Sequence, residues 1–135
     1  MFDVVIVSHG ELSEALLKSA ELIAGEQQRI YTSCLMAGCN LEDFQNEVST
    51  LFSEASKNGE FLVFTDIMYG TPFNTVVCQS DQYSFKHFSG VNLPVLLEVI
   101  TSRVNRELNE LSDFLKEEGK TTFVYVNDLL NGKEI

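Results

Sequence analysis

Two polar residues that close apolar runs could together carry histidine chemistry. His9 follows Val4-Val5-Ile6-Val7-Ser8, and Asp66 follows Phe61-Leu62-Val63-Phe64-Thr65. A carboxylate that accepts a hydrogen bond from one imidazole nitrogen fixes the tautomer and leaves the other nitrogen free to attack. It also steadies the imidazolium that forms on attack. Just beyond Asp66 stands Gly70-Thr71-Pro72-Phe73-Asn74. Thr is a good N-cap and Pro suits the first helical position, so a short helix is expected to begin after Thr71. A helix start offers free N–H groups and partial positive charge to a phosphoryl oxygen. Gly70 and Thr71 are therefore the candidate phosphoryl-binding residues, and the Thr71 hydroxyl could cap the helix, contact a phosphoryl group, or do both.

The combination points to phosphoryl transfer; His9 alone would be a turn residue and Asp66 alone a turn cap. No P-loop or kinase-type glycine loop is present, so the donor need not be a nucleotide. "SHGE" (8–11) contains no GxSxG elbow, which leaves a hydrolase reading without its nucleophile. No third His, Cys or carboxylate stands at a convincing metal spacing, and neither a metal nor another cofactor is expected.

The elements that must position these residues alternate. Val4 to Val7 reads as a strand covered on both faces. Leu12, Leu16, Ala20 and Ile23 mark a helix that stops near Gly25. "IYTSCLM" (30–36) reads as a second strand. Leu41, Phe44, Val48, Leu51 and Phe52 mark a second helix, with Glu42, Asp43, Glu47 and Glu54 on its wet side. "FLVFTD" (61–66) is a third strand and "YSFKHF" (83–88) a fourth, nearer an edge. "SGVNLP" is a loop in which Asn92 and Pro94 either shape a crevice rim or merely connect. Leu96, Ile100, Val104, Leu108, Leu111 and Leu115 predict the longest helix, serving core or dimer interface. "TTFVYV" (121–126) predicts a fifth strand. His87 alternates with Phe85 and Phe88 and is read as structural or exposed.

Such alternation means an α/β domain, spanning residues 1–135, with a mainly parallel sheet. Ligands of open parallel sheets sit at the carboxyl ends of the strands, where strand order reverses. If strands two and three flank strand one, His9 and Asp66 fall on neighbours about 4.8 Å apart at that crevice.

With 135 residues and 44% apolar content the chain can bury a core. Its formal charge of −11 argues against nucleic acid and anionic membranes and favours, weakly, a basic protein partner. No apolar run is long enough to span a bilayer and no signal segment precedes the first strand, so a cytoplasmic protein without direct membrane insertion is expected. Cys34, Cys39 and Cys78 lack a CxxC spacing, and Cys34 and Cys78 are read as buried thiols.

"VIVSHGELSEALLKSAELIAG", "FTDIMYGTPFN" and "SGVNLPVLLE" resemble, in order and spacing, the mannose-type enzyme IIA proteins of the bacterial sugar phosphotransferase system. The resemblance runs from about residue 3 to residue 118. It implies a single three-layer α/β domain with sheet order 2-1-3-4 and a C-terminal edge strand, here 121–126, exchanged in a homodimer. It further implies a phosphocarrier that takes a phosphoryl group from HPr onto His9 and passes it to a IIB subunit for sugar uptake. Asp66 matches the family's orienting aspartate and Thr71 its hydroxyl residue that contacts the phosphoryl group. The family usually has two glycines before the Ser/Thr-Pro, and here the first is Tyr69; if that position needs a positive φ, Tyr is strained there. Two other readings share the pattern: the phosphotransfer subunit of a dihydroxyacetone kinase, and a regulatory module that uses phosphorylation of His9 as a signal.

Overall fold

The computed structural model describes residues 1–132, so the last three residues of the expected domain lie outside the described residues. Four strands, β1 (Val4–His9), β2 (Ile30–Leu35), β3 (Phe61–Thr65) and β4 (Phe85–Ser89), form one parallel sheet in the order β2-β1-β3-β4. Three helices follow the first three strands: α1 (Leu12–Ala24), α2 (Leu41–Ser56) and α3 (Thr71–Cys78). After β4 come α4 (Leu93–Ser102), α5 (Leu108–Glu118) and the short α6 (Val126–Leu130).

The sheet is covered on both sides because its strands alternate apolar residues between faces. Val4, Ile6, Leu62 and Phe64 pack with Ala20 of α1, Leu96 and Val99 of α4, and Leu111 of α5. Val5, Val7, Phe61 and Val63 pack with Phe44, Val48 and Phe52 of α2 and Val76 of α3. Burial is complete from Val4 to Val7, which explains the unrelieved apolar run in the sequence. The register aligns Val7 with Thr65, so β1 and β3 bring His9 and Asp66 out at the same end of the sheet.

Several sequence expectations shift by local chemistry. On α1 the inward face carries Ser13 and Ala20, while Leu12 and Ile23 are exposed. Ser13 can be buried because its hydroxyl donates to the Ser33 carbonyl (3.1 Å) and lies 3.2 Å from Cys34 Sγ. Cys34 is half-buried, and Cys78 is exposed rather than buried. The expected long helix over 96–115 is two helices. Helical spacing would turn Val104 inward, yet Val104 is 68% exposed and Arg103 takes the interior. The Arg103 guanidinium donates to the carbonyls of Phe2, Gln28 and Arg29 and to Gln27 Oε1, and the chain breaks around it.

Among the described residues the expected fifth strand, 121–126, does not form. Gly119–Thr121 is a 3₁₀ turn, and α6 begins at Val126. Phe123 is 98% exposed, and Tyr125 and Leu130 are also exposed. A strand needs a neighbour for its backbone groups, and here Thr122 instead accepts from Asn92 Nδ2 (2.8 Å).

Candidate functional site

β1 ends as it leaves the sheet, and His9 is its first exposed residue. Gly10 then takes φ +54°, turning the chain so that its N–H reaches the Leu35 carbonyl of β2 (2.8 Å). Buried Ser8 accepts from the Ser13 N–H (2.8 Å), tying the loop to the start of α1. The residues on both sides of the histidine are thus held by short hydrogen bonds, one to β2 and one to the start of α1.

Asp66 follows β3 directly and grips His9 twice. The His9 backbone N–H donates to Asp66 Oδ2 at 2.9 Å, and His9 Nδ1 lies 2.8 Å from the same oxygen. Asp66 Oδ1 accepts from the Ile67 N–H at 3.0 Å. Burial pushes the Asp66 carboxyl up, but the hydrogen bonds from His9 and Ile67 outweigh it and hold it below the usual carboxylate range. An ionised Asp66 can only accept, so Nδ1 carries the proton and Nε2 is the unprotonated nitrogen of the neutral ring. The imidazole is about half exposed, while the Asp66 side chain is only 8% exposed.

The turn between Asp66 and α3 completes the site. Gly70 has an ordinary φ of −88° but lies against the ring: a Cβ there would fall 2.7 Å from His9 Cε1 and 3.3 Å from Nε2. Space, rather than backbone freedom, requires glycine. Tyr69 does adopt a positive φ, +65°. The N-cap of α3 is Gly70, not Thr71, and Thr71 is the first residue of the helix. The Asn74 N–H makes the first helical bond, to the Gly70 carbonyl (2.9 Å). Pro72 has no N–H, so the Thr71 and Phe73 N–H groups form the open donor end, with the Thr71 hydroxyl beside them. The structure therefore brings together His9, Asp66 and Gly70 by direct contact and sets Thr71 on the adjoining helix start.

Sequence reading missed what lies beneath this turn. Tyr69 packs edge-on against Phe73 (5.5 Å between centroids), and Phe73 lies over His87 (5.2 Å). His87 Nε2 is 2.8 Å from the Thr65 hydroxyl, and burial lowers the His87 pKa to about 4. The period-two alternation of Phe85 and His87, paired with Phe61 and Val63 one step before Thr65, was the available signal. Among the described residues, no group of three or more His, Cys, Asp or Glu could hold a metal ion. A hollow of about 260 Å³ lies under the β4–α4 loop, lined by residues such as Phe64, Asn92 and Lys120, whereas His9 faces open solvent.

An open parallel sheet with a half-exposed, carboxylate-held histidine at its switch point defines a class: α/β proteins whose site lies at the carboxyl ends of the strands. Residues 3–116 match the family model described as PTS system fructose IIA component, and the chain belongs to this mannose-type EIIA family of the sugar phosphotransferase system. It is 29% identical over 124 residues to the PTS system fructose-specific EIIA component of Bacillus subtilis, covering 91% of this chain and 85% of that one. The crystal structure of phosphotransferase system component EIIA from Streptococcus agalactiae matches with a TM-score of 0.85 at 31% identity, over 94% of this chain and 98% of that one. The PTS IIA protein associated with the fucose utilization operon of Streptococcus pneumoniae matches with a TM-score of 0.84 at 26% identity, over 96% and 97%. The chain is thus a IIA component of a phosphotransferase system. No helix among the described residues is long and apolar enough to cross a membrane.

Proposed function

We propose that the protein is a cytoplasmic phosphohistidine carrier that takes a phosphoryl group from phospho-HPr onto His9 Nε2 and gives it to a IIB subunit. The observation that carries this reading is the pair of hydrogen bonds between His9 and Asp66, one of which occupies Nδ1 and leaves Nε2 as the free ring nitrogen of a half-exposed side chain. In the forward step the Nε2 lone pair attacks phosphorus. The P–N bond of the donor phosphohistidine breaks, and its electron pair returns to the donor ring. His9 becomes a phosphorylated imidazolium whose Nδ1–H points at the Asp66 carboxylate, and that charge pairing favours the transfer. The N–H groups of Thr71 and Phe73, with the Thr71 hydroxyl, receive the phosphoryl oxygens, and Gly70 leaves room for them beside the ring. The second transfer, to a histidine of IIB, repeats the exchange in reverse. Positioning and charge stabilisation suffice for such chemistry.

The same reading includes a homodimer. Among the described residues the outer edge of β4 has no strand partner, and Phe123, Val124, Tyr125 and Val126 are exposed. In a second copy that segment would straighten and add to the free edge, removing two unpaired surfaces at once.

Incubation with phosphoenolpyruvate, enzyme I and HPr tests the carrier. Acid-labile, base-stable label should appear on the wild type and vanish in His9→Gln. Label retained by the variant would end the proposal.

A further inference from the structure

Tyr69 is held in a way the fold alone does not require. Its φ of +65° is a conformation that side chains other than glycine seldom adopt, and its ring is 77% exposed. Neither feature favours the folded chain. The ring nevertheless packs edge-on against Phe73, which rests on His87, which is bonded to Thr65 next to Asp66. Ile67 (58%) and Met68 (55%) are exposed on the same turn. This turn runs from Asp66, bonded to His9, to Gly70, packed against the His9 ring.

From this we infer that Tyr69 is the specificity-determining anchor on which a basic, phosphohistidine-bearing donor protein docks over His9. The inference rests on the reading of His9 as the phosphoryl acceptor. Reacting atoms must approach to about 3–3.5 Å in line with Nε2. The space above Gly70 lies within 3.3 Å of that nitrogen, so a protein delivering the group must cover the 67–70 turn. A small donor would leave the turn in water and gain nothing from an exposed aromatic. A chain of formal charge −11 draws in a basic donor, and an exposed Tyr packed on Phe73 beside the reacting atom then supplies short-range grip. Since the Tyr69 hydroxyl makes no hydrogen bond among the described residues, the ring itself carries the contact.

The test is the rate of phosphoryl transfer from purified phospho-HPr to the full-length protein, followed against donor concentration. Tyr69→Gly relieves the positive φ, and its thermal midpoint should equal or exceed the wild type's, by roughly 3 °C if the strain is fully released. Its half-saturating donor concentration should rise about tenfold or more, with the saturating rate within about threefold of wild type. Tyr69→Asn, which tolerates the left-handed backbone without an aromatic ring, should behave alike, whereas Tyr69→Phe should match the wild type. Unchanged half-saturation in both Gly and Asn variants overturns the anchor while leaving His9 as acceptor. A fall confined to the saturating rate also overturns it, since Tyr69 would then act on the ring and not on the donor. Failure of the wild type itself to take label from phospho-HPr removes the reading of His9 and the anchor together.

Discussion

At the smallest scale the candidate site is a histidine whose two nitrogens are made unequal by one carboxylate. Asp66→Asn keeps the shape but can present an amide nitrogen or oxygen to Nδ1, so the tautomer is no longer dictated. Phosphoryl transfer to His9 should slow by about a hundredfold or more while the circular dichroism spectrum is unchanged, by analogy with other carboxylate-held histidines. Equal rates would show that Asp66 does not orient the ring. Asp66 also sets an acid limit. Its carboxyl titrates lower in the folded chain than in the unfolded one, so its stabilisation is complete above the unfolded pKa of about 3.9 and lost as pH falls through the folded value. Urea midpoints below pH 4 should drop more steeply for the wild type than for Asp66→Asn. The pair itself was legible in the sequence, because both residues end apolar runs and parallel strands put their ends together. The role of Gly70 was not. Its φ is ordinary, and only the position of the His9 ring above it reveals why a methyl group cannot be there.

Among the elements, β4 does more than close the sheet. Its His87 is held neutral between the sheet and α3 with a pKa of about 4, against about 6.5 when unfolded. Between those values the unfolded chain binds a proton that the folded chain refuses, so stability should rise with pH from about 4 to 6.5. Thermal midpoints measured at pH 5 and pH 7 should differ for the wild type, and the difference should shrink in His87→Gln. An unaltered difference would assign the dependence to other groups. The four strands of the sheet and the first three helices were readable from pattern because burial on both faces and amphipathic spacing leave direct marks. The break between α4 and α5 was not, since leucine spacing continues across it. What breaks it is Arg103, whose guanidinium collects carbonyls from the 27–29 loop and Phe2, contacts distant in sequence. Ser13 misleads for a related reason: a hydroxyl can face inward when a neighbouring strand offers a carbonyl.

At the scale of the whole molecule the C-terminal segment is where pattern and single-chain structure part. Thr121 to Val126 has the composition of a strand, but strand formation needs an edge to pair with, and within one chain this segment finds a turn and a short helix instead. If a second copy supplies the β4 edge, the thermal midpoint should rise with protein concentration, and sedimentation at micromolar concentration should give the mass of two chains. Truncation after Gly119 should then leave monomer or aggregate; a single-chain mass for the full-length protein would contradict the exchange. In the proposed function the dimer, the docking turn and the charge of the chain all serve one event, the arrival of a phosphoryl group at one ring nitrogen. The most direct test of that event is a nitrogen-15 NMR spectrum of the phosphorylated protein, which distinguishes the two ring positions. A phosphoryl group on His9 Nε2, with the Nδ1 proton still hydrogen-bonded to Asp66, is the expected result. A phosphoryl group on Nδ1, or on any other residue, would contradict it.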